Sequence, residues 1–382
     1  MKSASLIETK NALEDLAGAL AGIPEIAIDT ESNSFHNYHD RICLIQISIP
    51  DKDFIIDPIA VPDLGPLKTI FLAEETQKIF HAAENDILLL KKHHGFEFLN
   101  VFDTLLAAQI LGHREVGLAS LLARLFDIRL DKGEQRSDWS RRPLSADQML
   151  YAVHDTHHLI RLRDTLLEEL RNADRLEAAE EEFQRLAEKC PVERRPDASA
   201  YLRIKGSKKL APRGRGVLQA LFHWRERTAR SLDRPPFRVL SNETLLELSQ
   251  LTPASWNGAG RIRGVTPRII GRYGDEILAA IRDGLEKGEV RAPRPAPTER
   301  RERDEWTDEM DGRFRRLREW RNQRAESLDV QPFIVAPNRL LVSLARLAPE
   351  SIEALQDVPG MAAWRVRDYG SEILDLFRNI PG

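Results

Sequence analysis

The feature that most constrains the fold is a duplication. The segment LFHWRERTARSLDRPPFRV at residues 221–239 returns as LREWRNQRAESLDVQPFIV at 317–335. Trp224 aligns with Trp320 at a shift of 96 residues. The same shift carries Asp233 to Asp329, Phe237 to Phe333, Pro253 to Pro349 and Gly274 to Gly370. Solenoid repeats have periods of about 20–50 residues, so a unit this long stands as a small helical domain of its own, used twice. Trp224 and Trp320 fall amid helical apolar spacing and are expected in the two cores. The Pro-rich charged stretch RAPRPAPTERRERDE between the copies reads as a linker.

The front of the chain follows another grammar. EIAIDTE alternates, ICLIQISI is a longer β-branched run, and DFIIDP is a short strand ended by Pro58. From Asp63 the pattern turns helical, with one more apolar stretch, KIFHA, before ENDILLLKKHH. Strands interleaved with helices predict an α/β domain built on a mixed sheet. After Pro143 a long helix begins, with Ser145 and Gln148 at capping-box spacing and Leu144 and Met149 placed to staple the same turn. Its pattern runs on to about Glu180. The expected layout is an α/β domain at 1–195, a first helical domain with a basic lead-in at 196–290, a linker at 291–308 and a second helical domain at 309–382.

Composition narrows the function classes. The 382 residues are 42% hydrophobic and 30% charged, which suits folded cores. The first residues, MKSASLIETKNALEDLAG, contain no apolar signal core, and no apolar run approaches membrane-helix length. Two cysteines, Cys43 and Cys190, make no disulfide framework. The expectation is a cytoplasmic protein with no membrane association and no obligate protein partner evident. Residues 1–190 hold 21 basic and 33 acidic side chains, whereas 191–382 hold 35 and 27. Arg194 to Arg215 carries eight basic residues against one acid, Asp197. An acidic front joined to a basic segment suits a polyanionic substrate, although a solvated linker has the same composition.

The acids suggest what the front does. Asp29 and Glu31, two apart at the end of a strand, leave the same sheet face. Two such carboxylates repel unless a cation joins them. Asp86 opens a helical pattern just after a predicted strand. In YAVHDTHHLI, Tyr151 and Asp155 are four apart and share one helix face. His154, Asp155, His157 and His158 invite a zinc reading, and His154 and His158 could pair four apart, but no third soft ligand is evident near that pair. Asp29, Glu31, Asp86 and Asp155 form instead an all-oxygen set that prefers Mg²⁺ or Mn²⁺. Two such ions can flank a scissile phosphate. Tyr151, with an ordinary pKa of about 10, is placed to orient water rather than to act as base.

These residues resemble the DEDD exonuclease superfamily in its tyrosine subclass: DTE is similar to its first motif, HAAEND to its second, and YAVHD to the YxxxD form of its third. CLIQIS, VFDTLLAAQILG, QRSDWSRRPLSADQMLYA and YLRIKGSKKL narrow the resemblance to the ribonuclease D family. The tandem repeat resembles that family's two helicase-and-RNase-D C-terminal (HRDC) domains. The resemblance implies an RNase H-like exonuclease fold followed by two small all-α domains, with two divalent metals on the four acids. It also implies 3′→5′ hydrolysis of RNA to 5′-nucleoside monophosphates, with transfer RNA precursors and small structured RNAs as substrates.

Other residues are candidates for binding RNA. Gln46 on a central strand is placed to reach substrate or to sit as a buried amide. Trp139, Arg141 and Arg142 precede the Tyr151 helix, where they either stack a base and hold phosphate or pack the helix start. His36, Tyr38 and Arg41 follow the first motif, and Asp103 is expected to cap neighbouring backbone. Arg203, Lys205, Lys208, Lys209, Arg213 and Arg215 are candidates for sequence-independent phosphate contact. A proofreading-type DNA exonuclease would share the same acids. A nucleic-acid-binding protein without catalysis would share the basic segment.

Overall fold

Six strands make one mixed sheet: β1 (Ser5–Ile7), β2 (Glu25–Ser32), β3 (Ile42–Ile49), β4 (Lys52–Ile56), β5 (Gln77–Phe80) and β6 (Val101–Asp103), in the order β1-β4-β3-β2-β5-β6. The computed structural model describes residues 4–131, 133–191, 197, 199–257, 262–287 and 306–378. β3 and β4 are antiparallel, with Ile45 opposite Ile56, while β1 runs parallel to β4 and β5 parallel to both β2 and β6. The mixed sheet matches the sequence reading. β1 and β6 escape that reading because three residues are too few to show a period.

β2 is covered on both faces. Ile26 and Ile28 join a core with Leu13, Leu16 and Leu20 of helix α1 (Lys10–Leu20), Phe71 of α2 (Lys68–Leu72) and Leu90 of α3 (Glu84–His94). Ala27 faces the other way, into a core with Ala107 of α4 (Thr104–Ile110) and Leu121 of α5 (Leu118–Phe126). Alternation along the strand then sends Asp29 and Glu31 out on the face of Ala27.

On that side the single long helix of the sequence reading is corrected to three: α6 (Ala146–His157), α7 (Leu159–Asn172) and α8 (Leu176–Glu188). The predicted capping box at Ser145 and Gln148 is present. A straight helix from Ala146 to Glu180 would run about 50 Å, roughly twice the width of six strands. The chain breaks at His158 and again beside Asp174, which takes a left-handed φ of 53°. α6 can therefore cover β3 and β4 while α7 packs on α4 and β5.

The duplication is plain in three dimensions. The first copy comprises α9 (Pro212–Ser231), α10 (Pro236–Val239), α11 (Asn242–Leu251) and α12 (Pro267–Glu286). The second comprises α13 (Asp308–Ser327), α14 (Pro332–Val335), α15 (Asn338–Leu347), α16 (Ile352–Gln356) and α17 (Ala363–Arg378). Trp224 donates its indole N–H to Glu276 at 2.8 Å, and Trp320 donates to Glu372 at 2.8 Å. Arg225 reaches Asn242, and Arg321 reaches Asn338. Both tryptophans are structural.

Contacts divide the chain into two compact units. One takes in the described residues within Met1–Glu31, Ile42–Pro191 and Ala296–Gly382. Inside it, Nη1 of the fully buried Arg365 donates to both carboxylate oxygens of Glu181 of α8, at 2.8 and 2.6 Å, and Trp364 donates to the same carboxylate. The other unit takes in Ser32–Arg41 and the described residues within Val192–Pro295. The linker sequence at 291–305, and Arg194 and Arg195 of the basic stretch, lie outside the described residues.

Candidate active site

Asp29, Glu31 and Asp155 bring carboxylate oxygens within 4.8 Å of one another. β2 supplies the first two and α6 the third. Asp86 comes from the first turn of α3, is 9% exposed and accepts a hydrogen bond from the Thr30 hydroxyl. The Asp86 charge acts on Asp29, Glu31 and Asp155 alike. Acids from three distant segments of the chain thus share one electrostatic neighbourhood.

Two supports hold α3 and α6 in place. Ala82, in the turn between β5 and α3, has a left-handed φ of 65°, an unfavourable conformation for alanine. The buried Asp103 carboxylate restrains that turn, accepting the N–H groups of Ala82 and Ala83 at 3.1 and 2.8 Å, while also capping α4 through Leu105 and Leu106. α6 is pinned to the sheet where Ser48 of β3 meets Thr156 at 2.7 Å and Asp53 of β4 meets His157 at 2.9 Å. The Thr30 and Ser48–Thr156 contacts went unread in the sequence, where a lone hydroxyl residue carries no signal of its partner.

The acids are held under mutual stress. Burial, then the charges of Asp86, Asp155 and Glu31, push the Asp29 carboxyl well above the ordinary range. Burial, then Asp155 and Asp86, push Glu31 to about 9. Asp86 and Asp155 are each raised to about 7, chiefly by burial, with hydrogen bonds from Thr30 and Tyr151 opposing. Burial and the neighbouring carboxylates also raise the Tyr151 phenol, so it stays protonated at neutral pH. Hard oxygen donors that resist joint ionisation suit a small divalent cation, which replaces the repulsion with attraction. The residues therefore fit such a metal.

The histidines make other contacts. His157 pairs with Asp53, and the rings of His154 and His158 stack 6.4 Å apart. Burial and neighbouring cationic groups push His158 down to about 4.

Several substrate-binding candidates are corrected. Trp139 is 1% exposed and packs among Cys43, Leu44, Ile55, Ala152 and Val153, with its ring 5.9 Å from that of Tyr151. It supports the tyrosine from within and offers no platform to a base. Arg142 is spent on the buried Asp57 carboxylate and on the carbonyls of Cys43, Trp139 and Arg141. Gln46 is 0% exposed on β3, beyond the reach of substrate. Tyr38 packs against the core of the first helical copy, and His36 meets Arg238.

Arg141 is exposed and pairs loosely with Asp138 at 3.3 Å. In the basic segment Tyr201, Ile204 and Leu210 are buried anchors, leaving Arg203, Lys205, Lys208, Lys209 and Arg213 exposed and Arg215 half-buried. Arg203 pairs with Asp197.

The family described as 3′-5′ exonuclease matches residues 5–171, and the HRDC domain matches at 215–281 and 310–376. A ribonuclease D of Gluconacetobacter diazotrophicus is 33% identical over 379 residues, covering 95% of this chain and 91% of its own. A ribonuclease D of Desulfotalea psychrophila is 28% identical over 337 residues, 88% of each chain. Among solved structures, Escherichia coli RNase D, described as an exoribonuclease involved in structured RNA processing, aligns with a TM-score of 0.65. It is 25% identical and covers 99% of this chain and 100% of its own. The exonuclease superfamily is divalent-metal dependent, in keeping with the acidic cluster. Similarity sustained across both the acid-bearing sheet and the duplicated helices leads to one conclusion: the chain belongs to the ribonuclease D family and is a 3′→5′ exoribonuclease.

Proposed function

We propose that this enzyme trims the 3′ ends of transfer RNA precursors and other small structured RNAs in the cytoplasm, releasing 5′-nucleoside monophosphates. The observation that carries the reading is the convergence of Asp29, Glu31 and Asp155, with Asp86 coupled to them. In this reading those four acids hold two divalent ions, Mg²⁺ or Mn²⁺. When bound, the ions supply charge stabilisation of the phosphoryl group and lower the pKa of water.

The chain's own residues do the rest. Tyr151 donates its hydroxyl proton to Asp155, leaving phenol lone pairs to accept a hydrogen bond from the attacking water. That water is thereby aimed at phosphorus, opposite the departing 3′ oxygen. The water oxygen forms the new bond as the bond to the 3′ oxygen breaks. One water proton passes to solvent and the departing 3′ oxygen takes one from solvent, giving a monophosphate and an RNA one nucleotide shorter. The exposed Arg203, Lys205, Lys208, Lys209 and Arg213, with Arg215, hold the backbone without reading sequence. The division into 1–195, 196–290, 291–308 and 309–382 belongs to this proposal: one catalytic domain and two HRDC domains. Among the described residues no helix is long and apolar enough to cross a membrane.

The test incubates the full chain with 3′-extended transfer RNA and each metal. Stepwise shortening from the 3′ end supports the reading, with Asp29→Ala and Asp155→Ala abolishing it while RNA binding survives. Full activity in either variant refutes it, and equal cleavage of a matched DNA 3′ end refutes the RNA assignment.

A further inference from the structure

The segment Ser32–Arg41 starts at the last residue of β2, next to Glu31, and rejoins the sheet at Ile42. Its neck is closed on itself: the Asn33 N–H donates to the Arg41 carbonyl at 3.2 Å, and the Arg41 N–H donates to Asn33 Oδ1 at 2.7 Å. Its tip is held by a different part of the chain. The Asp233 carboxylate accepts the backbone N–H groups of Tyr38 and His39 at 3.1 and 3.0 Å, and the Asn37 amide at 2.9 Å. The Tyr38 ring lies under the Arg230 guanidinium at 5.6 Å and against the core of the first repeat. Asp233 itself turns the corner between α9 and α10 with a left-handed φ of 46°.

The duplication supplies an internal comparison. Asp329 occupies the same corner of the second repeat, with φ 51°. That corner also docks, but through its backbone. Arg175 donates to the Leu328 carbonyl at 3.2 Å, and Gly112 lies so close to the Asp329 carbonyl oxygen that a Cβ there would collide with it. Among the described residues, only in the first repeat does the aspartate side chain grip a loop contiguous with the acid-bearing strand.

We infer that Asp233 is a positioning residue for the hydrolysis. By fixing the tip of the loop it fixes the neck at Asn33, two residues from Glu31, and so the direction of the Glu31 carboxylate. The inference rests on the reading of Asp29, Glu31, Asp86 and Asp155 as the metal-holding set. Loss of a group that orients a metal ligand lowers metal affinity or activity by roughly 10-fold to 100-fold. Asp233 would act on chemistry it never touches.

The experiment compares full-length wild type, Asp233→Ala, Asn37→Ala and Asp329→Ala, with circular dichroism as the check on folding. Mn²⁺ affinity is measured by calorimetry, amide exchange at 32–41 by mass spectrometry, and kcat and KM on an RNA of a few nucleotides. Asp233→Ala is expected to weaken Mn²⁺ binding and lower kcat about tenfold or more, leave KM nearly unchanged and speed exchange in the loop. Asn37→Ala, which removes one of the three grips, falls between it and wild type and carries the test should Asp233→Ala misfold. Asp329→Ala matches wild type in metal affinity. Wild-type metal affinity and kcat in a folded Asp233→Ala protein overturn the inference. So does a loss shared equally by Asp329→Ala, which would mark a general structural effect. If Glu31→Gln leaves Mn²⁺ binding unchanged, the metal reading itself has failed and this inference falls with it.

Discussion

Replacing Glu31 with glutamine should stabilise the metal-free protein while disabling the proposed metal site. The unfolded chain ionises this carboxyl near 4.5, whereas the folded protein pushes it to about 9. A carboxyl whose folded pKa is the higher one binds its proton more tightly when folded. Stability is therefore greatest below about pH 4.5 and declines as pH climbs toward 9. At pH 7 folding must retain a proton the unfolded chain has given up, across about 2.5 pH units at about 1.4 kcal/mol each. That is on the order of 3 kcal/mol, which Glu31→Gln recovers because an amide carries no charge at any pH. At about 2–4 °C per kcal/mol for a unit of this size, the variant should melt roughly 6–12 °C higher at pH 7. The gain should grow toward pH 9 and nearly vanish at pH 4.5. Thermal melts in EDTA at the three pH values, followed by circular dichroism, measure it. Excess Mn²⁺ should reverse the order by stabilising only the wild type. A variant that melts at or below wild type in EDTA at pH 7, or gains equally at all pH values, would refute the account of mutually stressed acids.

Because Asp86 and Asp155 titrate near 7 and Glu31 near 9, Mn²⁺ binding at pH 7 should release protons, and fewer as pH rises past 9; calorimetry in buffers of different ionisation heat detects this. Tyr151→Phe should lower kcat about 100-fold without removing an alkaline limb from the pH–rate profile, since the phenol stays protonated up to about pH 9; a lost alkaline limb would make it a base instead. Arg142→Ala leaves the buried Asp57 charge unpaired and should cost about 3–5 kcal/mol in urea titration, whereas the exposed Arg141→Ala should stay within about 0.5 kcal/mol. Lys208→Gln with Lys209→Gln should weaken RNA binding and reduce its salt slope by about 2, with cleavage of a very short RNA unchanged.

The sequence by itself determined a good deal. It set the strand pattern that buries Ile26, Ala27 and Ile28, the cap at Ser145, the duplicated helical unit, and the acids Asp29, Glu31, Asp86 and Asp155 beside Tyr151. These are legible because periodicity, capping and motif spacing are local, and the chemistry of a residue type travels with its letter. Only the tertiary structure decided the partners. Trp139 and Arg142 stand in a sequence that suits an exposed RNA-binding loop, yet one is enclosed beneath Tyr151 and the other is committed to Asp57. The bend at His158 follows from the width of the sheet, which no window of residues around it encodes. Asp233 and Asp329 occupy equivalent positions in the repeat, and only packing assigns the first to a loop behind Glu31 and the second to a turn beside Gly112. Burial and pairing energies depend on which distant segment arrives, and that is fixed when the chain closes on itself.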